Sequence, residues 1–191
     1  MNLPNIITLS RIIATPFFIF IFLIDNLYAR IITFLLIIVF ELSDLFDGRL
    51  ARKYNQITNI GKILDPLADS LFRMTLFLCL LKLGLVNIWL VAFCFYRDSV
   101  VQTVRIIASN NNIVFAAKRS GKIKAVAQCS GVLIITFLTI INYFIIQHLL
   151  LPIPHLTIIT NCIMTIVAAI TVWSGIDYLI KLSDLLKNSP E

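Results

Sequence analysis

Long apolar runs separated by short polar turns set the pattern of this chain. Six of them approach the roughly 20 residues that a helix needs to cross a hydrocarbon core. They lie at about Ile6–Ile24, Ala29–Ala51, Ile63–Leu83, Asn87–Ala108, Ala125–Leu149 and Leu156–Leu182. The runs are continuous rather than alternating over the roughly ten-residue lengths of membrane-barrel strands. The pattern therefore predicts an all-α polytopic membrane protein with six transmembrane helices, organised as a single integral-membrane domain over residues 1–191. Charges inside spans two, three and four leave the ends of those spans the least sharply defined.

Composition agrees with this reading. Hydrophobic residues make up 59% of the chain and charged residues 14%, outside the usual range of soluble domains. The N-terminal apolar stretch has no basic leader and runs on at spanning length, so no cleavable signal peptide is expected. Cys79, Cys94, Cys129 and Cys162 fall in different spans without paired spacing, which fits small buried hydrophobes better than a metal or disulfide framework.

The net charge of +6 does not point to nucleic acid, because the basic residues are segregated. Arg49, Arg52, Lys53 and Lys62 flank the turn between spans two and three. Arg105, Lys118, Arg119, Lys122 and Lys124 surround the turn between spans four and five, and Lys181 and Lys187 lie towards the C-terminus. Arg30 and Lys82 are the only basic residues on the other side. The positive-inside rule then places both termini and these two turns in the cytoplasm, facing water-soluble nucleotides and phosphorylated metabolites.

Four aspartates interrupt the apolar pattern: Asp44 and Asp47 late in span two, Asp65 and Asp69 early in span three. A carboxylate in a spanning helix costs roughly 2.5–3.5 kcal/mol on insertion scales, so these acids need compensating positive charge. Spacings of three and four residues put each pair on one helical face. Joined by a turn of roughly ten residues, the two spans should be antiparallel neighbours, and a rise of about 1.5 Å per residue brings both pairs to similar depth, facing each other. Converging carboxylates make a hard-oxygen site suited to Mg²⁺ or Mn²⁺, and four negative charges fit two such ions better than one. No histidine lies nearby, and His148 and His155 belong to the opposite side.

The residues between the aspartates suit a nucleotide diphosphate. Gly48 and Ala51 remove bulk from the helix surface, Gly61 relieves crowding across the hairpin, and Arg52 can hold a phosphate by charge-assisted hydrogen bonds. Singly, each small residue is equally well explained by helix packing; as an ordered set with the four acids they are not.

The full pattern is Asp44-x2-Asp47-Gly48-x2-Ala51-Arg52-x8-Gly61-x3-Asp65-x3-Asp69, and it resembles the signature of the CDP-alcohol phosphotransferases at every fixed position. Weaker likenesses to one bacterial branch run along most of the chain: NLPNIITLSRII at the start, GKILDPLADS, Arg97 with Arg105, SGKIKAVAQ and TVWSGIDYLIK. The resemblance implies a six-helix, usually homodimeric membrane enzyme that moves a phosphatidyl group from CDP-diacylglycerol to an alcohol, glycerol 3-phosphate in that branch. It implies Asp44, Asp47, Asp65 and Asp69 as ligands of two divalent cations, and Asp69 as the catalytic base. The CDP-donor site it implies comprises Asp44, Asp47, Gly48, Ala51, Arg52 and Gly61. Arg105, Lys122 and Lys124 are placed to receive the acceptor's phosphate. The location it implies is the bacterial cytoplasmic membrane, with the active site on the cytoplasmic side.

Other residues are open between function and packing: Glu41 one turn before Asp44, Arg97 with Asp98, and Asp177, Tyr178 and Lys181 near the end of span six. Two alternatives follow from the same residues. The acceptor could be inositol phosphate, serine, choline or phosphatidylglycerol, or the intramembrane acids could mark a divalent-cation transporter. Against a transporter, the acids gather on one side and no internal repeat is visible.

Overall fold

The computed structural model describes residues 3–53, 61–110, 119–149 and 155–188, with side chains over 8–43, 67–104, 119–147 and 155–180. The described residues form six helices and no strand: α1 (Leu3–Leu23), α2 (Leu27–Lys53), α3 (Gly61–Lys82), α4 (Ile88–Asn110), α5 (Arg119–Leu149) and α6 (Leu156–Asn188). Each coincides with one apolar run of the sequence.

Local chemistry sets the helix ends. Asn26 caps α2 by accepting a hydrogen bond from the Tyr28 amide at 2.8 Å, and Asn87 caps α4 through the Trp89 amide at 2.9 Å. Helix α3 closes at Gly84, whose φ of 69° suits a residue without Cβ. The Gly84 amide donates to Leu81 O and the Leu85 amide to Leu80 O, the paired bonds of a Schellman motif. Asn161 on α6 then ties down this turn by accepting from the Asn87 amide at 2.8 Å.

The core joins Phe18 and Phe22 of α1, Ile37 of α2, Phe72, Leu76 and Leu80 of α3, Cys94 of α4, Ile135 of α5 and Met164 of α6. Helix α1 packs against both α2 and α3, α6 packs against α4 and α5, and α2 and α3 each pack on α5. Among the described residues α2 and α3 make no close backbone approach, although the sequence predicts them as direct neighbours. They meet instead through side chains, with the Phe40 and Phe72 rings stacked at 4.7 Å. The reason is that α1 packs against both helices, so the large rings span the separation between them.

Outside this core, large apolar side chains face outward while several charged ones are buried. Phe20, Tyr28, Trp89 and Val126 are more than two-thirds exposed, whereas the side chains of Arg11, Arg97, Asp98 and Lys124 are 7–11% exposed. In soluble proteins charged residues are almost never fully buried unless paired; these four are paired, and ionisable groups in membrane helices likewise turn towards the bundle interior. Among the described residues two helical segments, Arg119–Gln147 and Leu156–Ile180, are long and apolar enough to cross a membrane, and Thr8–Leu23 is a shorter apolar helix. Glu41, Asp69, Arg73, Arg97 and Asp98 lower the hydropathy of α2, α3 and α4.

Candidate active site

Helices α1, α2 and α3 build a small recess lined by Arg11, Phe40, Glu41, Asp69, Phe72 and Arg73. Its polar centre is Asp69. Arg11 reaches across from α1 and donates from Nη1 to Asp69 Oδ1 at 3.0 Å. Arg73, one turn further along α3, approaches Oδ2 with Nη2 at 3.4 Å, as the four-residue spacing on a helical face requires. Two guanidinium groups thus bracket one carboxylate. Phe40 and Phe72 form the apolar side of the recess, and Phe18 packs against Phe72 at 5.5 Å between centroids.

Asp44, Asp47, Gly48, Ala51 and Arg52 fall in the last turns of α2, and Gly61 and Asp65 in the first turns of α3. Their side chains lie outside the described residues, as do those of Arg105 and Lys181. Among the described residues no three acidic, histidine or cysteine side chains assemble into a metal site. Of the four predicted ligands only Asp69 has a described side chain; its carboxylate is a hard-oxygen donor of the kind Mg²⁺ or Mn²⁺ takes, and here Arg11 and Arg73 each pair with one of its oxygens. Glu41, one turn before Asp44, also comes within hydrogen-bonding reach of the Cys129 thiol on α5.

A second polar cluster joins α4, α5 and α6. Asp98 accepts from Lys124 Nζ at 2.8 Å and from Arg97 Nη1 at 3.1 Å, and Arg97 Nη2 donates to Ser174 Oγ at 2.7 Å. Arg97 therefore pairs with Asp98, its neighbour in the sequence. Ser120 Oγ donates to Asp177 Oδ2 at 2.6 Å, and Tyr178 is buried. Of the residues predicted to receive an acceptor phosphate, Lys124 is buried against Asp98 and Lys122 is exposed.

Gly175 makes room for this cluster. A Cβ there would stand 2.7 Å from Arg97 Cγ, near the root of the arginine side chain, where little flexibility is available. Gly175→Ala is expected to destabilise the protein by about 1–3 kcal/mol, the usual range for overpacking. Thermal unfolding in detergent, compared with the wild type, measures this loss.

Arg11 and Arg73 were not singled out in the sequence, although a signal for Arg11 is present. It is the sole charged side chain before Asp25, in the middle of an apolar helix, and such residues mark functional sites by default.

Comparison with known proteins extends the picture beyond the described side chains. Residues 1–173 match the family model described as CDP-alcohol phosphatidyltransferase. Relatives named CDP-diacylglycerol–glycerol-3-phosphate 3-phosphatidyltransferase include one from Rickettsia typhi, 31% identical over 182 residues, covering 93% of this chain and 94% of the relative. Another, from Bacillus subtilis, is 36% identical over 143 residues, or 69% of this chain and 74% of the relative. A third, from Aquifex aeolicus, is 44% identical over a shorter match of 72 residues, 38% of this chain and 39% of the relative.

Proposed function

The chain belongs to the CDP-alcohol phosphatidyltransferase family, and from that membership we propose that it transfers a phosphatidyl group from CDP-diacylglycerol to sn-glycerol 3-phosphate, giving phosphatidylglycerophosphate and CMP. The observation that carries this reading is the eight-position aspartate signature within a chain similar along 93% of its length to a relative named for that reaction. Residues 1–191 act as one catalytic domain with six membrane spans, both termini and the site on the cytoplasmic side of a bacterial inner membrane, and the enzyme works as a homodimer. The inward-facing charges and outward-facing aromatics support the six-span reading.

In this proposal Asp44, Asp47, Asp65 and Asp69 would hold two divalent cations, Mg²⁺ or Mn²⁺. When bound, such ions neutralise pyrophosphate charge and stabilise a phosphate leaving group. Gly48 and Ala51 let the cytidine approach the α2 backbone, Gly61 opens the hairpin, and Arg52 holds a donor phosphate. Asp69 accepts the proton of the acceptor hydroxyl as its oxygen attacks the lipid-side phosphorus and CMP departs. Arg11 and Arg73 keep that carboxylate in place. Arg105, Lys122 and Lys124 receive the phosphate that glycerol 3-phosphate carries.

The test is product identification. Purified protein in lipid micelles is incubated with CDP-diacylglycerol and, separately, glycerol 3-phosphate, inositol phosphate, serine, choline or phosphatidylglycerol. Phosphatidylglycerophosphate and CMP in equal amounts, with glycerol 3-phosphate only, is the expected result. A lipid product from another alcohol instead would replace the acceptor, and CMP release with none of them would contradict transfer.

A further inference from the structure

Asp98 is the hub of a charge network buried among α4, α5 and α6, helices that do not carry the aspartate signature. Lys124 of α5 and Arg97 of α4 each donate to one of its carboxylate oxygens, at 2.8 and 3.1 Å, and all three side chains are 9–11% exposed. Arg97 continues to Ser174 of α6 at 2.7 Å, and the absence of a Cβ at Gly175 admits its side chain. The carboxylate is thus fixed from two directions.

Stability alone does not account for this arrangement. Buried ion pairs contribute little net stability compared with apolar residues of the same volume. Here two cations meet one anion. Without Asp98, the Arg97 guanidinium, which shares that carboxylate, would repel the Lys124 ammonium from its present position. A lysine ammonium has three donors. One is directed at Asp98, which leaves capacity for an anionic ligand. Fixing a flexible lysine before a ligand arrives reduces the ordering cost of binding.

We propose that Asp98 is a positioning residue, holding Lys124 where its ammonium takes the phosphate of the acceptor, while Arg97 and Ser174 hold Asp98. The assignment rests on the glycerol 3-phosphate reading above. Asp98 itself touches neither substrate.

The test is steady-state kinetics of the full chain in proteoliposomes, with each substrate varied at saturating levels of the other. Asp98→Asn is expected to raise KM for glycerol 3-phosphate about 10–100-fold, the range for losing a hydrogen bond to a charged group, with KM for CDP-diacylglycerol changed less than about twofold. Asp98→Glu, which keeps the carboxylate, should recover most of the acceptor affinity. Lys124→Gln should raise the acceptor KM, and adding Asp98→Asn to that variant should raise it no further. This last pair removes both charges together and keeps the comparison informative if Asp98→Asn alone does not fold. Equal increases in both KM values, an unchanged acceptor KM, or independent multiplication of the two effects would overturn the assignment. The wild-type arm separates the underlying reading: turnover with a different alcohol and none with glycerol 3-phosphate overturns the acceptor, and this role for Asp98 with it.

Discussion

Asp69→Asn is expected to lower CMP release from CDP-diacylglycerol by about 10²–10⁴-fold, the usual contribution of a positioned general base. Asparagine keeps the shape of the side chain but cannot take up a proton, and it supplies only one acceptor oxygen. Arg11 and Arg73 now share a carboxylate, each meeting a different oxygen. In the variant both cations would stay beside a neutral amide, so some stability is lost as well. Single-turnover CMP release, measured well below the unfolding temperature of the variant, separates the two effects. Turnover near the wild-type rate would remove Asp69 from the chemistry.

Arg11→Met should have the next largest effect, and mainly on stability and orientation. The Arg11 side chain is 7% exposed and its partner Asp69 is 23% exposed. Breaking a buried pair costs about 3–5 kcal/mol; with Arg73 still beside the carboxylate, about 2–3 kcal/mol is expected here. Arg11→Lys should recover only part of it, because an ammonium is a point charge without the planar fork of a guanidinium. Both losses are read from unfolding in detergent, with kcat followed in parallel. A lower kcat with unchanged KM for both substrates in Arg11→Lys would fit a carboxylate displaced from its working position. Arg11→Met with wild-type stability and kcat would show that Arg73 alone holds Asp69.

The helices were legible because each needed only a long apolar run, and α1 to α4 begin and end within about three residues of the predicted spans. Helix α5 starts earlier than its apolar run. Its first turns contain Ser120 and Lys124, whose polarity is met inside the bundle by Asp177 and Asp98, a pairing hydropathy cannot register. The placement of α1 against both α2 and α3 was not legible either, since neighbours in sequence need not be neighbours in space. Missing that placement hid Arg11: without knowing that α1 faces α3, nothing connects residue 11 with residue 69. Glu41 and the Arg97–Asp98 pair were visible as charges in apolar helices, but their partners on α5 and α6 depend on packing that one-dimensional spacing does not encode. Of the four aspartates, Asp69 alone has a described side chain, and its arginine partners lie on α1 and one turn along α3, so the chemistry read from their spacing rests on the sequence pattern.

The central claim is that those aspartates form a binuclear cation site, and manganese binding tests it most directly. Protein stripped with a chelator and titrated with Mn²⁺ should take up two ions per chain. Their electron paramagnetic resonance spectrum should show exchange coupling, as centres about 3.5–4 Å apart do, and the combined Asp44→Asn and Asp65→Asn variant should lose that signal. A single uncoupled ion in the wild type, or an unchanged coupled pair in the double variant, would contradict the account.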